Sequence, residues 1–260
     1  MSYELPLRYP FPPVHKGTPP GEIAWARKHH PLCPVTLPGG QRLWMITRRD
    51  DITQVYTSDR FSRLTPAQPD FRPGHLAEIE RQATSSLDAM ETGLNPVDLV
   101  AAFVTPLSVH LSPGLRRVFS AGAVTLLTHR EQLEECLEDE TLWPRAAEEV
   151  LRHHHSGLLG LPLVVTKTYT FHGITLTPGE VVCAPMLGDL WDPAAFDSPE
   201  KFRVRREASP GDSAQNLFLS TIYAALFRRF EKLDLAVSGN DIPWSHDMLI
   251  PEPHLIPVVW

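Results

Sequence analysis

The pair of residues with the clearest chemical spacing is Glu149 and Arg152. Residues three apart lie on one face of an α-helix, so a carboxylate and a guanidinium at this spacing stand side by side. Three consecutive histidines, from 153 to 155, follow this pair directly. The pattern predicts a helical ion pair whose helix ends in a run of imidazoles.

The histidine run allows two chemical interpretations. Imidazoles bind metal ions, but adjacent histidines fan out from a helix end or alternate between the faces of a strand, so they form a poor tetrahedral set. Histidine also transfers protons near neutral pH. We therefore predict no metal site, and we take His153, His154 and His155 as candidate general acid–base residues.

Composition limits the classes of function. The chain has 260 residues, 42% of them hydrophobic, which allows one sizeable core or two small ones. A net charge of −7 without a basic block argues against nucleic acid and anionic membranes as partners. No apolar stretch reaches the length of a bilayer span, and the first residues lack the pattern of a signal peptide. Three widely spaced cysteines fit a reducing compartment, so we predict a cytoplasmic protein.

Hydrophobic periodicity predicts short elements in the first half of the chain. Residues 1–20 are rich in proline and are expected to run extended over the surface. A hairpin is predicted about Gly39 and Gly40, with a helix after it from Arg48. Helices are then predicted from His75 to Glu91 and from Leu99 to Leu111.

The second half begins with helices and changes to strands after residue 160. Leu115 to Thr128 is apolar enough to be buried, and Pro144 fits the first turn of the helix that carries Glu149. Ser213 to Arg229 predicts a last helix. The predicted strands are Leu163 to Lys167, Tyr169 to Phe171, Ile174 to Leu176, Glu180 to Ala184, and a final pair at Leu233 to Val237 and Leu255 to Val259.

Several of these blocks resemble bacterial cytochromes P450 in order and spacing. They are the Glu149-x-x-Arg152 pair, the segment from Thr170 to Phe202, and the early hairpin with its helix and Arg60-Phe-Ser-Arg. The resemblance implies an α+β, reduced P450-like fold, mostly helical with a small mixed or antiparallel β region. It implies a single domain, 1–260, made of an N-terminal block (30–63), a helical block (75–155) and a C-terminal block (160–260).

In that family the Glu-x-x-Arg pair anchors its helix to a later meander, where a further arginine completes the cluster. The matching position in Pro199-Glu-Lys-Phe holds Lys201, whose ammonium is a weaker fork for a carboxylate. The resemblance therefore implies a structural cluster of Glu149, Arg152 and Lys201.

Three haem-dependent parts of the family differ in this sequence. The thiolate-bearing loop, which carries Gly-x-Gly and a cysteine, has no counterpart between Arg206 and Leu226. The long central helix is shortened, because Leu126 follows Ala121-Gly122 almost at once. The helix that pairs with the haem propionates is not recognisable between Leu64 and His75. We therefore predict that the protein uses no cofactor and binds no haem.

The resemblance also places a substrate pocket beside the Glu149 helix. Residues after that helix and in the C-terminal turn line this pocket in the family; here they are Ser156, Leu158, Leu159, Leu161, Leu163, Met248, Leu249 and Ile250. Plain core packing is the alternative role for the leucines.

These features lead to two hypotheses for function. The first is a haem-free enzyme of natural-product biosynthesis, which cyclises, isomerises or rearranges a hydrophobic, polyketide-like molecule without redox chemistry. The second is a non-catalytic auxiliary protein that activates a glycosyltransferase or another biosynthetic enzyme. The expected partners are thus a hydrophobic small molecule and, in addition, a second copy of the chain or a biosynthetic enzyme.

Overall fold

A computed structural model describes residues 2–11, 19–64, 75–154, 160, 162–207, 213–245 and 252–260. The chain divides into two compact units, each assembled from three separated stretches. Unit 1 comprises Met1–Gln68, His155–Glu200 and Asp247–Ile250. Unit 2 comprises Pro69–His154, Lys201–His246 and Pro251–Trp260.

The helices of the described residues are mostly short. They are α1 (Gly21–His29), α2 (Arg49–Thr57), α3 (Leu76–Thr92), α4 (Thr105–Leu107), α5 (Pro113–Thr128), α6 (Arg130–Glu138), α7 (Trp143–His154), α8 (Met186–Leu190) and α9 (Ala214–Arg229). A π-helical turn (Val100–Val104) precedes α4, and 3-10 turns cover Ser108–His110 and Glu140–Leu142.

The strands are shorter still. They are β1 (Leu7–Arg8), β2 (Leu32–Thr36), β3 (Arg42–Ile46), β4 (Phe61–Arg63), β5 (Val97–Asp98), β6 (Pro162–Val165), β7 (Tyr169–Phe171), β8 (Ile174–Leu176), β9 (Val181–Cys183), β10 (Asp234–Leu235) and β11 (Pro257–Val259).

Unit 1 is built on a six-stranded mixed sheet with the order β1-β2-β3-β9-β6-β4, beside the β7-β8 hairpin. Side chains alternate between the two faces of this sheet. Ile46 therefore packs in one cluster with Val182, whereas its neighbour Met45 packs on the opposite face with Cys33 and Cys183. Both faces are covered, so the strands are apolar on both sides.

A buried arginine ties α1 to the rest of unit 1. The guanidinium of Arg27 donates to the backbone carbonyls of Thr47 (3.2 Å), Gly188 (2.7 Å) and Trp191 (3.3 Å). Its charge is offset by Asp192, 3.9 Å away. Burial lowers the pKa of Arg27, with the two neighbouring aspartates acting in the opposite direction. One side chain thus satisfies three carbonyls from two segments.

Unit 2 is helical, with a small antiparallel sheet in the order β10-β11-β5. Its core is formed by α3, α5, α7 and α9. Serine side chains cap two of these helices: Ser112 accepts from the backbone N–H of Leu115, and Ser213 accepts from that of Asn216, both at 3.1 Å.

A glycine allows three of these helices to approach closely. A Cβ atom at Gly122 of α5 would lie 2.3 Å from Oη of Tyr223 (α9) and 2.4 Å from Cγ1 of Val150 (α7). The Tyr223 hydroxyl donates to the carbonyl of Phe119 at 2.8 Å. Burial raises the pKa of this phenol well above its usual range. The close approach of α5, α7 and α9 therefore requires a residue without a side chain at position 122.

Most of the predicted elements are present, with shifted ends. The hairpin forms with Thr36 opposite Arg42. The segment predicted as one helix from Leu99 to Leu111 is helical in three successive forms, and the final β pair gains β5 as a third strand. The surface course expected for residues 1–20 is wrong for the described part, because Leu7, Tyr9 and Phe11 are buried in the core of unit 1.

Candidate functional site

The Glu149–Arg152 pair forms the centre of a buried ion cluster in unit 2. Nε of Arg152 donates to Oε2 of Glu149 at 2.8 Å, and Nη2 donates to Oε1 at 2.9 Å. The side chains are only 3% and 5% exposed. This bidentate geometry is the arrangement in which an arginine holds a carboxylate most firmly.

Arg206 supplies the second cation of this cluster. Its Nε atom lies 3.2 Å from Oε1 and 3.0 Å from Oε2 of Glu149, and the backbone N–H of Arg203 also donates to Oε1. The carboxylate is therefore held by two guanidiniums and one backbone amide. A buried charge needs hydrogen-bond donors and opposite charges of this kind to offset the loss of water.

The role predicted for the Lys201 side chain is wrong. That side chain is exposed, and Lys201 contributes its backbone carbonyl, which accepts from Arg206 at 2.7 Å and from Arg152 at 3.5 Å. A guanidinium provides two directed N–H donors, which an ammonium cannot place in one plane. A turn after Lys201, in which the Arg206 N–H donates to the Arg203 carbonyl at 3.0 Å, brings Arg206 to the carboxylate instead.

A glutamine fixes the same stretch from the opposite side. The amide of Gln132 donates to the carbonyl of Phe202 at 2.9 Å and accepts from the N–H of Val204 at 2.8 Å. The side chains of Phe202 and Val204 pack in the core of unit 2. Residues 202–206 are thus pinned between α6 and α7.

The first two histidines of the run lie in the last turn of α7, and both are buried. Nε2 of His154 lies 2.6 Å from Oγ1 of Thr125 on α5. Burial, and next the charges of His153, Arg152 and His129, hold the pKa of His154 well below its usual range. This imidazole is therefore neutral at pH 7. His155 lies outside the described residues.

Of the predicted ligand-lining residues, the structure describes Leu163. It lies in β6, opposite Arg63 and Val182, and packs in the core of unit 1. The others, Ser156, Leu158, Leu159, Leu161, Met248, Leu249 and Ile250, lie outside the described residues. The ligand contacts of this set stay predictions. Within the described ranges, no group of three or more His, Cys, Asp or Glu side chains is placed to hold a metal ion.

The topology and the buried Glu-Arg-Arg cluster define a cytochrome P450-like fold. A sequence profile of the family described as Cytochrome P450 matches residues 126–208, the segment that contains the cluster. The solved structure of the LnmA cytochrome P450 hydroxylase from Streptomyces atroolivaceus is 20% identical with a TM-score of 0.81, covering 98% of this chain and 100% of that one. The structure of a putative thioether synthase, SgvP, has a TM-score of 0.85 at 18% identity, and the match covers 99% of this chain and 100% of that one.

Curated relatives match at the level of sequence over a shorter stretch. Cytochrome P450 105C1 of a Streptomyces species is 31% identical over 155 residues, which cover 54% of this chain and 40% of that protein. Putative cytochrome P450 141 of Mycobacterium tuberculosis is 25% identical over 179 residues, 64% and 42% of the two chains. The chain thus spans about two fifths of the length of the curated relatives that it matches.

The cysteines of this chain do not suit the thiolate ligation of haem that the fold implies. Cys33, Cys136 and Cys183 are all buried within β2, α6 and β9. Burial raises the pKa of the Cys33 and Cys136 thiols to about 12, and that of Cys183 to about 11. A thiolate ligand needs the opposite surroundings, in which positive charge favours the ionised sulfur.

Two residues of this region were not predicted from the sequence, Arg206 and Thr125. Arg206 was detectable, because three arginines follow Lys201 within five residues of it. Thr125 gave no signal, since its contact with His154 joins helices 29 residues apart. Among the described residues, no helix is long and apolar enough to cross a membrane.

Proposed function

We propose that this chain is a haem-independent P450-like protein of natural-product biosynthesis. In this proposal it converts a hydrophobic, polyketide-like small molecule into an isomer, by cyclisation or rearrangement, without redox chemistry. The observation that carries the proposal is the combination of a P450-like fold and a complete Glu149 cluster with three cysteines that are all buried.

The preserved cluster supports a retained scaffold. Removing one partner of a buried carboxylate costs about 3–5 kcal/mol, so loss of the partners of Glu149 would destabilise the fold. Here all partners of that carboxylate are in place, including an arginine at a shifted position. The scaffold is thus intact where it positions α7.

The named relatives support the class of substrate. LnmA is described as a hydroxylase of the leinamycin biosynthetic pathway, and SgvP as acting in the tailoring step of griseoviridin. From these two relatives we take only the class of ligand, a natural product. Holding a flexible molecule in one reactive conformation accelerates ring closure or isomerisation without an electron donor.

An acid–base group would assist such a reaction, and the histidine run is our candidate. His154 is neutral and already bonded to Thr125, so it suits an accepting or positioning role better than proton donation. Single His153→Gln, His154→Gln and His155→Gln variants assign the role: loss of turnover with unchanged ligand binding identifies the residue that moves the proton.

The test combines a spectrum with an assay. We expect protein expressed with ample iron and haem precursor to lack a Soret band. Incubated with a panel of linear and cyclic polyketides, without reductant or redox partner, it should give products of unchanged mass. A carbon monoxide spectrum of thiolate-bound iron, or products one oxygen heavier that require a reductant, would overturn the proposal.

The competing function is the non-catalytic auxiliary role. Two large apolar side chains of unit 2, Leu94 and Val109, are 85% and 79% exposed, as contacts with a partner protein would require. Stimulation of a co-expressed glycosyltransferase, with no isomer formed by the protein alone, would favour this role. Leu94→Ser and Val109→Ser should then reduce the stimulation.

A further inference from the structure

The end of α7 is unusual in its burial. Helix C-termini usually present histidines to solvent, where they interact with the helix dipole. Here His153 and His154 are 8% and 7% exposed, and Nε2 of His154 contacts the Thr125 hydroxyl at 2.6 Å. The last turn of α7 is therefore joined to α5 by a polar contact inside the core.

Thr125 serves a second histidine at the same time. Its backbone carbonyl accepts from Nδ1 of His129 at 2.8 Å and from the His129 backbone N–H at 3.0 Å. His129 stands between α5 and α6, and its ring contacts Phe202, which also contacts the ring of His153. Two helix ends thus meet at Thr125, each through an imidazole.

Among the residues that the structure describes, the charged and titratable groups that act on the pKa of His154 are all cationic when charged. They are Arg152 and His153 on α7 and His129 at the start of α6. The nearby carboxylate of Glu149 is already held by Arg152 and Arg206. A proton on His154 would therefore place an uncompensated positive charge inside the core, close to an arginine.

We propose that the imidazole of His154 and the hydroxyl of Thr125 form an acid-sensitive latch, which closes the last turn of α7 against α5 at neutral pH and opens when His154 takes up a proton. The latch does not depend on the proposed enzymatic function. Opening exposes the imidazolium to water and frees the last turn of α7.

The direction of the pH effect follows from linkage. Because the opened state binds a proton more readily than the closed state, acid favours opening below the ordinary histidine pKa of about 6.5. Between pH 7.5 and 5.5 the equilibrium for opening should rise about tenfold. Native-state hydrogen exchange of the amides at 151–154, corrected for intrinsic rates, measures this equilibrium.

The His154→Gln variant keeps a side chain that can bond to Thr125 but cannot titrate. We expect it to lose the tenfold change, whereas the exposed His254→Gln control keeps it. Thr125→Val should raise exchange at both pH values. An unchanged pH response in His154→Gln would overturn the latch.

A second measurement covers a variant that does not fold. In the unaltered protein, the imidazole resonances of His154 should titrate together with the loss of amide protection at 151–154. Titration of His154 at its ordinary pKa, with full protection retained, would refute the proposal.

Discussion

The Nε atom of Arg206 lies 3.0 Å from Oε2 of Glu149, and the two side chains are 9% and 3% exposed. The Glu149 carboxylate is thus paired with two guanidiniums, those of Arg152 and Arg206. The contact with Arg206 also relocates the second cation five residues beyond Lys201, the position that the resemblance to cytochromes P450 had assigned.

Removing Arg206 should therefore destabilise the fold far more than removing Lys201. We expect Arg206→Ala to lower the free energy of unfolding by about 3 kcal/mol, the usual cost of breaking a buried ion pair. Lys201→Ala should change it by less than about 0.5 kcal/mol, because the exposed side chain is replaced while the carbonyl stays. Urea denaturation followed by circular dichroism compares the two. Equal losses, or a larger loss for Lys201→Ala, would contradict the arrangement.

Gly122→Ala should be destabilising in spite of the better helix propensity of alanine. The new methyl group would overlap Tyr223 and Val150, and overpacking of this kind costs about 1–3 kcal/mol. Thermal unfolding of the variant measures the loss.

Gly39→Ala is the control for this effect, since a Cβ there meets nothing within 4 Å. A double variant, Gly122→Ala with Tyr223→Phe, should recover part of the loss because the nearest atom is gone. No difference between the Gly122 and Gly39 variants would disprove the close helix crossing.

The three cysteines should resist alkylation in the folded protein. Their raised pKa values, about 12 for Cys33 and Cys136 and about 11 for Cys183, reduce the thiolate fraction at pH 8 about a thousandfold and a hundredfold relative to an ordinary thiol. Mass spectrometry after iodoacetamide treatment should show rapid labelling only in guanidinium chloride. Fast labelling of one cysteine in native protein would identify an accessible thiolate and reopen the question of iron ligation.

Glu180 should respond to acid in unit 1. Its carboxylate accepts from the Thr177 backbone N–H, from the Thr177 hydroxyl and from the Trp44 indole. These bonds lower the pKa of Glu180, and the bond from the Thr177 backbone N–H has the largest effect. The stabilisation is therefore present above the ordinary pKa of glutamate and is lost as pH falls through the lower folded value. A fluorine label on the tryptophans should report a Trp44 shift at low pH that Glu180→Ala shows already at neutral pH. A Trp44 signal insensitive to both changes would argue against the contact.

Much of the fold follows from sequence because local signals agree with it. The Gly39-Gly40 hairpin and the last helix, predicted from Ser213 to Arg229, each depend on neighbouring residues, and both are present. The third strand β5 has only two residues, too few for a periodic signal.

The site could be predicted less completely, since it depends on contacts across long stretches of chain. The spacing of Glu149 and Arg152 identifies them in the sequence. In contrast, Arg206 is 57 residues from Glu149 along the chain, and Thr125 is 29 residues from His154. The role predicted for the Lys201 side chain was wrong because a matched position indicates only the course of the backbone. The side chain that binds Glu149 comes from Arg206, whose guanidinium lies within hydrogen-bond distance.

Each compact unit is composed of three separated stretches of chain, so neither can be produced by a single truncation. Expression of any one stretch would leave strands or helices without their partners: β5, for example, would lack β11, which lies more than 150 residues later. Dissecting this protein thus calls for circularly permuted or co-expressed segments, and the small sheet of unit 2 can assemble only after β11 has been synthesised.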